Sequence, residues 1–120
     1  MKVVIQGELI DLNKFINAQR ANKFGGAKLK KQETQRCAAA FAPIRAKKLK
    51  LPINLHITWY CKDKRKDKDN IRFAVKFIQD GMIECGLLKN DGWNEIEGYS
   101  DSFVVDKENP RIEVELEENK

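Results

Sequence analysis

Residues 51–61 read Leu-Pro-Ile-Asn-Leu-His-Ile-Thr-Trp-Tyr-Cys, and this stretch decides the fold. Every second side chain in it is large and apolar, namely Ile53, Leu55, Ile57 and Trp59. A two-residue period of this kind is typical of a β-strand that buries one face. A polar loop follows the strand, and residues 70–85 then carry apolar side chains at helical spacing. The pattern predicts a sheet covered by helices.

The segments on either side of this strand and helix supply the rest of the sheet. Strands are predicted at 3–10, 95–105 and 111–117, and helices at 12–22 and 27–42. Phe24-Gly25-Gly26 is expected to break the chain between the two helices. The order indicates an α/β (α+β) fold, a single small mixed sheet with helices packed on it. A chain of 120 residues has room for one core, so residues 1–120 are predicted to form one domain.

The charge of the chain bears on its partners. Lysines and arginines number 23 against 18 aspartates and glutamates, which gives a formal net charge of +5. A basic excess favours a polyanionic partner such as DNA, because each neutralised phosphate releases condensed counterions. Charge that serves solubility alone produces the same balance, and composition leaves both interpretations open.

The lengths of the apolar runs and the pattern of cysteines limit the class of protein further. No apolar run approaches the ~20 residues that a membrane-spanning helix needs. The three cysteines, Cys37, Cys61 and Cys85, are odd in number and form no Cys-x-x-Cys pair, which argues against a disulfide framework. We therefore expect reduced thiols in a cytoplasmic protein that does not enter the membrane.

The chemistry is predicted to centre on the acidic sequence Asp67-Lys68-Asp69-Asn70. Side chains two residues apart in an extended segment point the same way, so these two carboxylates repel unless a cation lies between them. A divalent cation with oxygen ligands suits such a pair. Asp91 follows the next helix, in a loop that is able to fold back. Three converging carboxylates predict a Mg²⁺ site, with Mn²⁺ as the alternative ion, suited to phosphodiester hydrolysis.

An Asp-x-Asp sequence also occurs where no metal binds. Taken alone, the motif is more simply interpreted as Asp69 capping a helix beside a solvated Asp67. The interleaved cations favour the metal site, because they suit a site that holds both a metal and a phosphate backbone. The residues predicted to contact DNA are Lys62, Lys64, Arg65, Lys66, Lys68 and Arg72.

Lys76 lies seven residues after Asp69, which is two helical turns, so the two side chains are predicted to share a helix face. This lysine is a candidate for binding the scissile phosphate or for stabilising charge in the transition state. Arg72 competes for the same role. An ordinary exposed lysine is the third interpretation of Lys76.

The motif and the residues after it resemble the RusA family of Holliday-junction resolvases. The matching positions are Asp67-Lys68-Asp69-Asn70, Lys76, Asp80, Gly86 and Asn90-Asp91. The resemblance covers about residues 53–116. The interval from Asn70 to Lys76 is about one helical turn longer than in the family, so Lys76, Arg72 or neither takes the lysine's role. Asn90 also stands where the family has an aspartate.

The resemblance implies a dimeric RusA-like fold and an activity. It implies a homodimer of α/β subunits that makes paired, Mg²⁺-dependent nicks across a four-way DNA junction. By this match Asp67, Asp69 and Asp91 are the catalytic, metal-binding carboxylates, and Lys76 is the catalytic lysine. Proteins of this family are often carried by phages and prophages, and they act in DNA recombination and repair.

Two other functions remain open from the sequence. One is a nuclease that acts on flaps or replication forks instead of four-way junctions. The other belongs to a different class, a non-catalytic basic DNA-binding module whose acidic sequence only caps a helix. Two features support this inactive relative: Asn90 in place of an aspartate, and the longer interval from Asn70 to Lys76.

Overall fold

Four strands and four helices make up the protein, as described by a computed structural model that covers all 120 residues. The strands are β1 (Lys2–Gln6), β2 (Ile53–Cys61), β3 (Ile96–Val105) and β4 (Arg111–Glu117). The helices are α1 (Leu12–Ala21), α2 (Gly25–Phe41), α3 (Lys68–Arg72) and α4 (Val75–Glu84), and a 3₁₀ turn spans Ala42–Ile44. None of the helices combines the length and the apolar character needed to cross a membrane.

The strands form one mixed sheet in the order β1-β4-β2-β3. β4 runs antiparallel to both of its neighbours, whereas β2 and β3 are parallel. Parallel neighbours need a crossover connection, which the segment containing α3 and α4 supplies. The predicted fold class, a single mixed sheet with helices packed on it, is confirmed. β1 and β3 are the two edge strands.

The core explains why the sequence of β2 decides the fold. Its four alternating apolar side chains are at most 2% exposed: Ile53, Leu55, Ile57 and Trp59. Burial of each such side chain contributes about 1.5–3 kcal/mol to stability. On the helical layer, α2 and α4 approach closely at Gly81, where an added Cβ would lie 2.5 Å from the Cβ of Cys37. Glycine is therefore required at this contact.

The first strand ends earlier than predicted. β1 stops at Gln6 rather than at residue 10, because Gly7 adopts a positive φ of 80° that turns the chain out of the sheet. The Arg36 guanidinium of α2 holds this turn by donating to the carbonyl oxygens of Gln6 at 2.8 Å and Glu8 at 3.2 Å. The boundary therefore depends on a contact with a residue distant in sequence.

The predicted break between the first two helices is present at residues 22–24, but Gly25 and Gly26 lie inside α2 and not in the break. α2 begins at Gly25, two residues before its predicted start. A Cβ on Gly25 would lie 2.5 Å from the carbonyl oxygen of Ala18 in α1. The close approach of α1 to the start of α2 accounts for glycine at this position.

The predicted helix over residues 70–85 is two helices, α3 and α4, separated by a tight turn at Phe73 and Ala74. The Ala74 amide donates to the carbonyl oxygen of Ile71 at 3.2 Å, the three-residue spacing of a 3₁₀ turn. The ring of Phe73 packs against Phe15 of α1, with 5.4 Å between centroids. Aromatic packing onto α1 thus accompanies the turn that divides the helix.

Candidate functional site

The polar loop that leaves β2 is fastened to the chain that follows β1. The ammonium of Lys66 lies 3.1 Å from the carboxylate of Asp11 and 3.9 Å from that of Glu8. Burial raises the pKa of Asp11, but hydrogen bonds from the Lys14 amide and from Lys66 outweigh it and leave that pKa below its usual value. Lys66, one of the predicted DNA contacts, therefore anchors the loop through a carboxylate that stays charged.

A groove of about 640 Å³ opens between this loop, α3 and the carboxyl end of β3. Its polar lining consists of Asp63, Lys64, Lys66, Asp67, Lys68 and Asp69. Its apolar lining consists of Cys61, Ile71, Phe103, Val104 and Val105. Two of the three predicted metal ligands, Asp67 and Asp69, thus line one groove, and both are exposed to solvent.

Neither aspartate of the acidic sequence caps α3 with its side chain. Asp67 occupies the N-cap position of α3, but its side chain makes no capping hydrogen bond. Asp69 lies in the first turn, where its carboxylate accepts only from the amide of Asn70, at 2.9 Å. The Asn70 side chain in turn accepts from the amide of Asn13 at 2.9 Å and ties α3 to α1. Both carboxylates retain free oxygen atoms that face solvent.

Ion pairing separates the aspartates of this chain into two groups. Five of the eight have a lysine or arginine nitrogen within 4.0 Å: Asp11, Asp63, Asp80, Asp101 and Asp106. The remaining three are Asp67, Asp69 and Asp91, the three carboxylates that the sequence predicts to bind metal. In a chain with 23 lysines and arginines, their lack of partners leaves them available to a cation from solution.

Asp91 is held by a network that the sequence did not reveal. It lies in the loop between α4 and β3 and accepts a hydrogen bond from the Gln79 amide group at 3.1 Å. Gln79 is 8% exposed, and its carbonyl oxygen accepts from the Tyr99 hydroxyl at 2.8 Å. The only signal in the sequence is a polar residue, Gln79, within the otherwise apolar face of α4. The network fixes the Asp91 carboxylate and leaves it without a positive partner.

The structure does not bring Asp91 to the other two carboxylates. Asp91 connects to Tyr99 near the amino end of β3, whereas Asp67 and Asp69 lie beside Phe103–Val105 at its carboxyl end. Phe103 lies four positions after Tyr99 along the strand, a rise of roughly 13 Å. Accordingly, no group of three or more His, Cys, Asp or Glu side chains within the chain is arranged to hold a metal ion.

The two candidates for the lysine role are both engaged elsewhere. Arg72 donates to Asp101 at 2.6 Å, and Asp101 also accepts from the Trp59 indole at 2.8 Å. The Lys76 ammonium lies 3.2 Å from Asp80 on α4. Lys76 does not line the groove, because the turn between α3 and α4 interrupts the helical register that would have placed it above Asp69.

Three of the six predicted DNA contacts have no acidic partner. They are Lys62, Lys64 and Lys68, all exposed on or beside the acidic loop. Lys64 and Lys68 line the groove, and the ammonium of Lys68 lies 5.6 Å from the centre of the Phe103 ring. Arg65 is 89% exposed and only 3.7 Å from Asp63, a loose surface pair. The groove thus presents free positive and free negative groups together.

The thiols are not suited to nucleophilic chemistry. All three cysteines are free, and Cys37 and Cys61 are buried. Burial raises the pKa of Cys37 to about 12, and burial also raises the pKa of Cys61. A thiol with a raised pKa stays protonated at neutral pH and is a poor nucleophile. Comparison with known proteins adds no further candidate, since no protein-family model and no curated relative matches the chain.

Proposed function

We propose that the protein is a Mg²⁺-dependent, structure-selective DNA endonuclease that resolves four-way junctions by paired nicks. The observation that carries the proposal is the set of three aspartates without ion pairs, Asp67, Asp69 and Asp91. Carboxylates that bind no cation of their own chain in a basic protein are the expected state of metal ligands without their metal. The resemblance of the acidic motif to the RusA family points to the same residues.

The donors of the groove suit the chemistry of Mg²⁺, and Mn²⁺ is the alternative ion. Asp67 and Asp69 supply hard oxygen ligands that are exposed and unpaired. A bound Mg²⁺ would supply a Lewis acid that polarises a phosphoryl oxygen of the scissile phosphodiester. The protein's own part is to hold these carboxylates beside the bound backbone and to fix Asp91 through Gln79.

The unpaired lysines suit the backbone of DNA. Lys64 and Lys68 line the groove with the carboxylates without neutralising them, and Lys62 is exposed on the same loop, so each is free to contact a phosphate. Phosphate contacts do not read the base sequence, so selectivity would come from the shape of branched DNA. Lys76 remains a candidate catalytic lysine only if its pair with Asp80 opens when DNA binds. A DNA-processing enzyme of this kind is expected to act in the cytoplasm.

A homodimer suits both the substrate and the separation of the carboxylates. A four-way junction has two symmetric scissile positions, and a two-fold protein presents one site to each. In one chain Asp91 is held through Gln79 by Tyr99, which lies roughly 13 Å along β3 from Phe103 in the groove, whereas a cation requires its ligands within a few ångströms. We therefore propose that Asp91 of one copy completes the groove of the other.

The decisive experiment compares cleavage of a labelled four-way junction with cleavage of a linear duplex, in Mg²⁺ and in EDTA. We expect paired nicks in the junction alone, only with the metal. Asp69→Asn is expected to lower the rate on the order of a hundredfold or more, because it removes an anionic ligand. Glu84→Gln serves as the matched control, since Glu84 is an exposed, unpaired carboxylate on α4 outside the groove.

Other results would select another function. Cleavage of flaps or forks in preference to four-way junctions would keep the nuclease and change its substrate. Binding of junctions without cutting in Mg²⁺ or Mn²⁺ would support the non-catalytic DNA-binding module, which the absence of a three-carboxylate cluster within one chain favours. Equal rates for Asp69→Asn and Glu84→Gln would remove Asp69 from the site.

A further inference from the structure

Two side chains of β3 hold the guanidinium group of Arg72. The Nε atom of Arg72 donates to Asp101 at 2.6 Å, and its Cζ atom lies 5.0 Å from the centre of the Tyr99 ring. Residues two apart on a strand point to the same face, so Tyr99 and Asp101 contact the arginine from the same side of the sheet. Arginine is able to pair with a carboxylate and stack on a ring at once, because its charged group is planar.

Asp101 is fixed from the interior of the protein. Its second carboxylate oxygen accepts from the Trp59 indole at 2.8 Å, and only 15% of its side chain is exposed. Trp59 belongs to the core. A hydrogen bond between a charged donor and a charged acceptor is stronger than one between neutral groups. Arg72 is therefore fastened to the core of the sheet and not to an exposed surface group.

Tyr99 continues this connection to the loop that carries Asp91. Its hydroxyl donates to the side chain of Gln79 at 2.8 Å, and Gln79 donates to Asp91 at 3.1 Å. Rotation of the Tyr99 side chain would displace Gln79, and with it the carboxylate of Asp91. The guanidinium of Arg72 covers one face of the ring and restricts this rotation.

The short helix α3 is the element at the other end of the connection. Five residues are too few for a helix to be stable by itself, so contacts with the rest of the protein must set its orientation. Arg72 lies three residues after Asp69, and side chains at this spacing are neighbours on a helix surface. The contacts of Arg72 therefore set the direction in which α3 presents Asp69.

We propose that Arg72 is a positioning residue that couples Asp69 on α3 to Asp91 in the loop before β3. The contacts that carry the coupling form one unbroken series, from Trp59 through Asp101, Arg72, Tyr99 and Gln79 to Asp91. The coupling itself requires neither metal nor DNA. Its consequence for cleavage rests on the proposed function, in which Asp69 and Asp91 are both metal ligands.

A positioning role explains the contacts of Arg72 better than a phosphate contact does. The side chain is only 37% exposed, and it is already paired with a largely buried carboxylate. An ion pair that served stability alone would affect Asp101 and its neighbours. The coupling also predicts an effect at Asp91, with which Arg72 forms neither a hydrogen bond nor an ion pair.

The test compares amide NMR spectra of the full chain, without metal and without DNA, for the wild type and Arg72→Lys. Lysine keeps the charge that faces Asp101 but has no planar group to stack on Tyr99. We expect the resonances of the Asp91 backbone amide and the Gln79 side-chain amide to shift. Exchange of the Gln79 side-chain amide with solvent should become about fivefold faster or more, as loss of a cation–π contact would produce.

Two further variants make the result specific. Arg20→Lys is the matched control, because Arg20 is exposed on α1 and forms no ion pair, and it should leave the Gln79 and Asp91 signals unchanged. Tyr99→Phe keeps the ring but removes the hydrogen bond to Gln79. In the Tyr99→Phe background, Arg72→Lys should therefore have no further effect on the Gln79 amide, which is the non-additivity expected of residues in one network.

Two outcomes would overturn the proposal. One is an Arg72→Lys variant with the Gln79 and Asp91 signals of the wild type. The other is an Arg72→Lys effect on Gln79 that persists in full in the Tyr99→Phe background, since the coupling would then not pass through Tyr99.

Cleavage assays separate this proposal from the nuclease function. Arg72→Lys is expected to need about tenfold more Mg²⁺ for half-maximal cleavage, with unchanged junction binding in EDTA. A protein that shows the coupling between Arg72 and Asp91 but never cuts DNA would count against the nuclease alone. A nuclease whose Arg72→Lys variant keeps both the metal dependence and the Asp91 signal of the wild type would count against the role of Arg72 alone.

Discussion

The two ends of β3 carry different parts of the proposed nuclease site. At the carboxyl end, Asp67 and Asp69 are exposed beside free lysines, on a loop and a five-residue helix. At the amino end, Asp91 is held by a hydrogen bond from Gln79 and forms no ion pair. One end offers ligands and a surface for phosphates, and the other offers a single preorganised carboxylate. Neither half is sufficient for metal-assisted hydrolysis, which needs ligands that converge.

The separation of Asp91 from Asp67 and Asp69 follows from the topology of the sheet and not from a flexible loop. β2 and β3 are parallel, so the segment after β2 and the segment before β3 lie at opposite ends of the sheet. α3 and α4 return the chain along that distance. In this connection one chain keeps residues 67 and 91 apart, whereas a two-fold pair of copies offers a second Asp91 to each groove.

The largest expected effect tests whether the halves combine between copies. Asp69→Asn and Asp91→Asn should each be nearly inactive alone, because each removes a ligand from both sites of its dimer. When equal amounts are mixed and allowed to exchange, nicking should return to about a quarter of the wild-type rate, since half of the dimers are mixed and each of these has one intact site. Nicking is measured on a labelled junction.

The mixed sample also has an internal control. A mixed dimer with one intact site should nick one strand and leave the junction unresolved, whereas the wild type makes paired nicks. A mixture no more active than its components would place all three carboxylates in the same chain and break the comparison between the two ends. Inactivity of the wild type itself would instead count against the nuclease function.

The next prediction concerns a substitution that affects only Asp91, at the amino end of β3. Gln79→Leu removes the hydrogen bond to Asp91 and fills the buried position with an apolar side chain of similar size. Loss of a residue that orients a metal ligand typically costs 10–100-fold, and we expect a decrease in the cleavage rate of about this size. Tyr99→Phe, which leaves the contact between Gln79 and Asp91 in place, should have a smaller effect.

The metal dependence separates positioning from a structural role for Gln79. If Gln79 orients Asp91, the variant should need more Mg²⁺ for half-maximal cleavage, and thermal unfolding should change little. A loss of activity that followed a loss of thermal stability, with unchanged metal dependence, would assign Gln79 to the core. Junction binding in EDTA should be the same for wild type and variant.

Much of the fold was predictable because its signals are local. The alternation in β2 and the apolar stripe of the following helix depend on neighbours in the sequence, and both describe the observed core. The boundaries that failed depend on distant contacts. Gly7 turns under Arg36, and Phe73 packs on Phe15. No spacing within a window of residues reports these approaches.

The difference between local signals and distant contacts also determines how much of the candidate site was predictable. The pairing of Asp67 with Asp69 in one groove follows from their spacing, which is local. The distance to Asp91 depends on the path of α3, α4 and the parallel register of β3, so the sequence did not predict that the carboxylates stay apart in one chain. Gln79 and Tyr99 were missed for a related reason, since their contact joins a helix face to a strand that follows it by about a dozen residues.

The smallest predicted effect distinguishes Lys68, in the groove at the carboxyl end of β3, from Lys76, which lies outside the groove. Lys68 lines the groove without an acidic partner, whereas Lys76 lies outside the groove and is paired with Asp80. If Lys68 contacts a phosphate, Lys68→Ala should weaken junction binding at every salt concentration and lower the slope of log affinity against log salt by about one. Lys76→Ala should leave this slope unchanged, because a lysine already neutralised by Asp80 releases no counterion from DNA. The binding is measured in EDTA, so that cleavage does not interfere. A slope change for Lys76→Ala alone would show that its pair with Asp80 opens on DNA, and would restore the lysine role that its place in the sequence suggested.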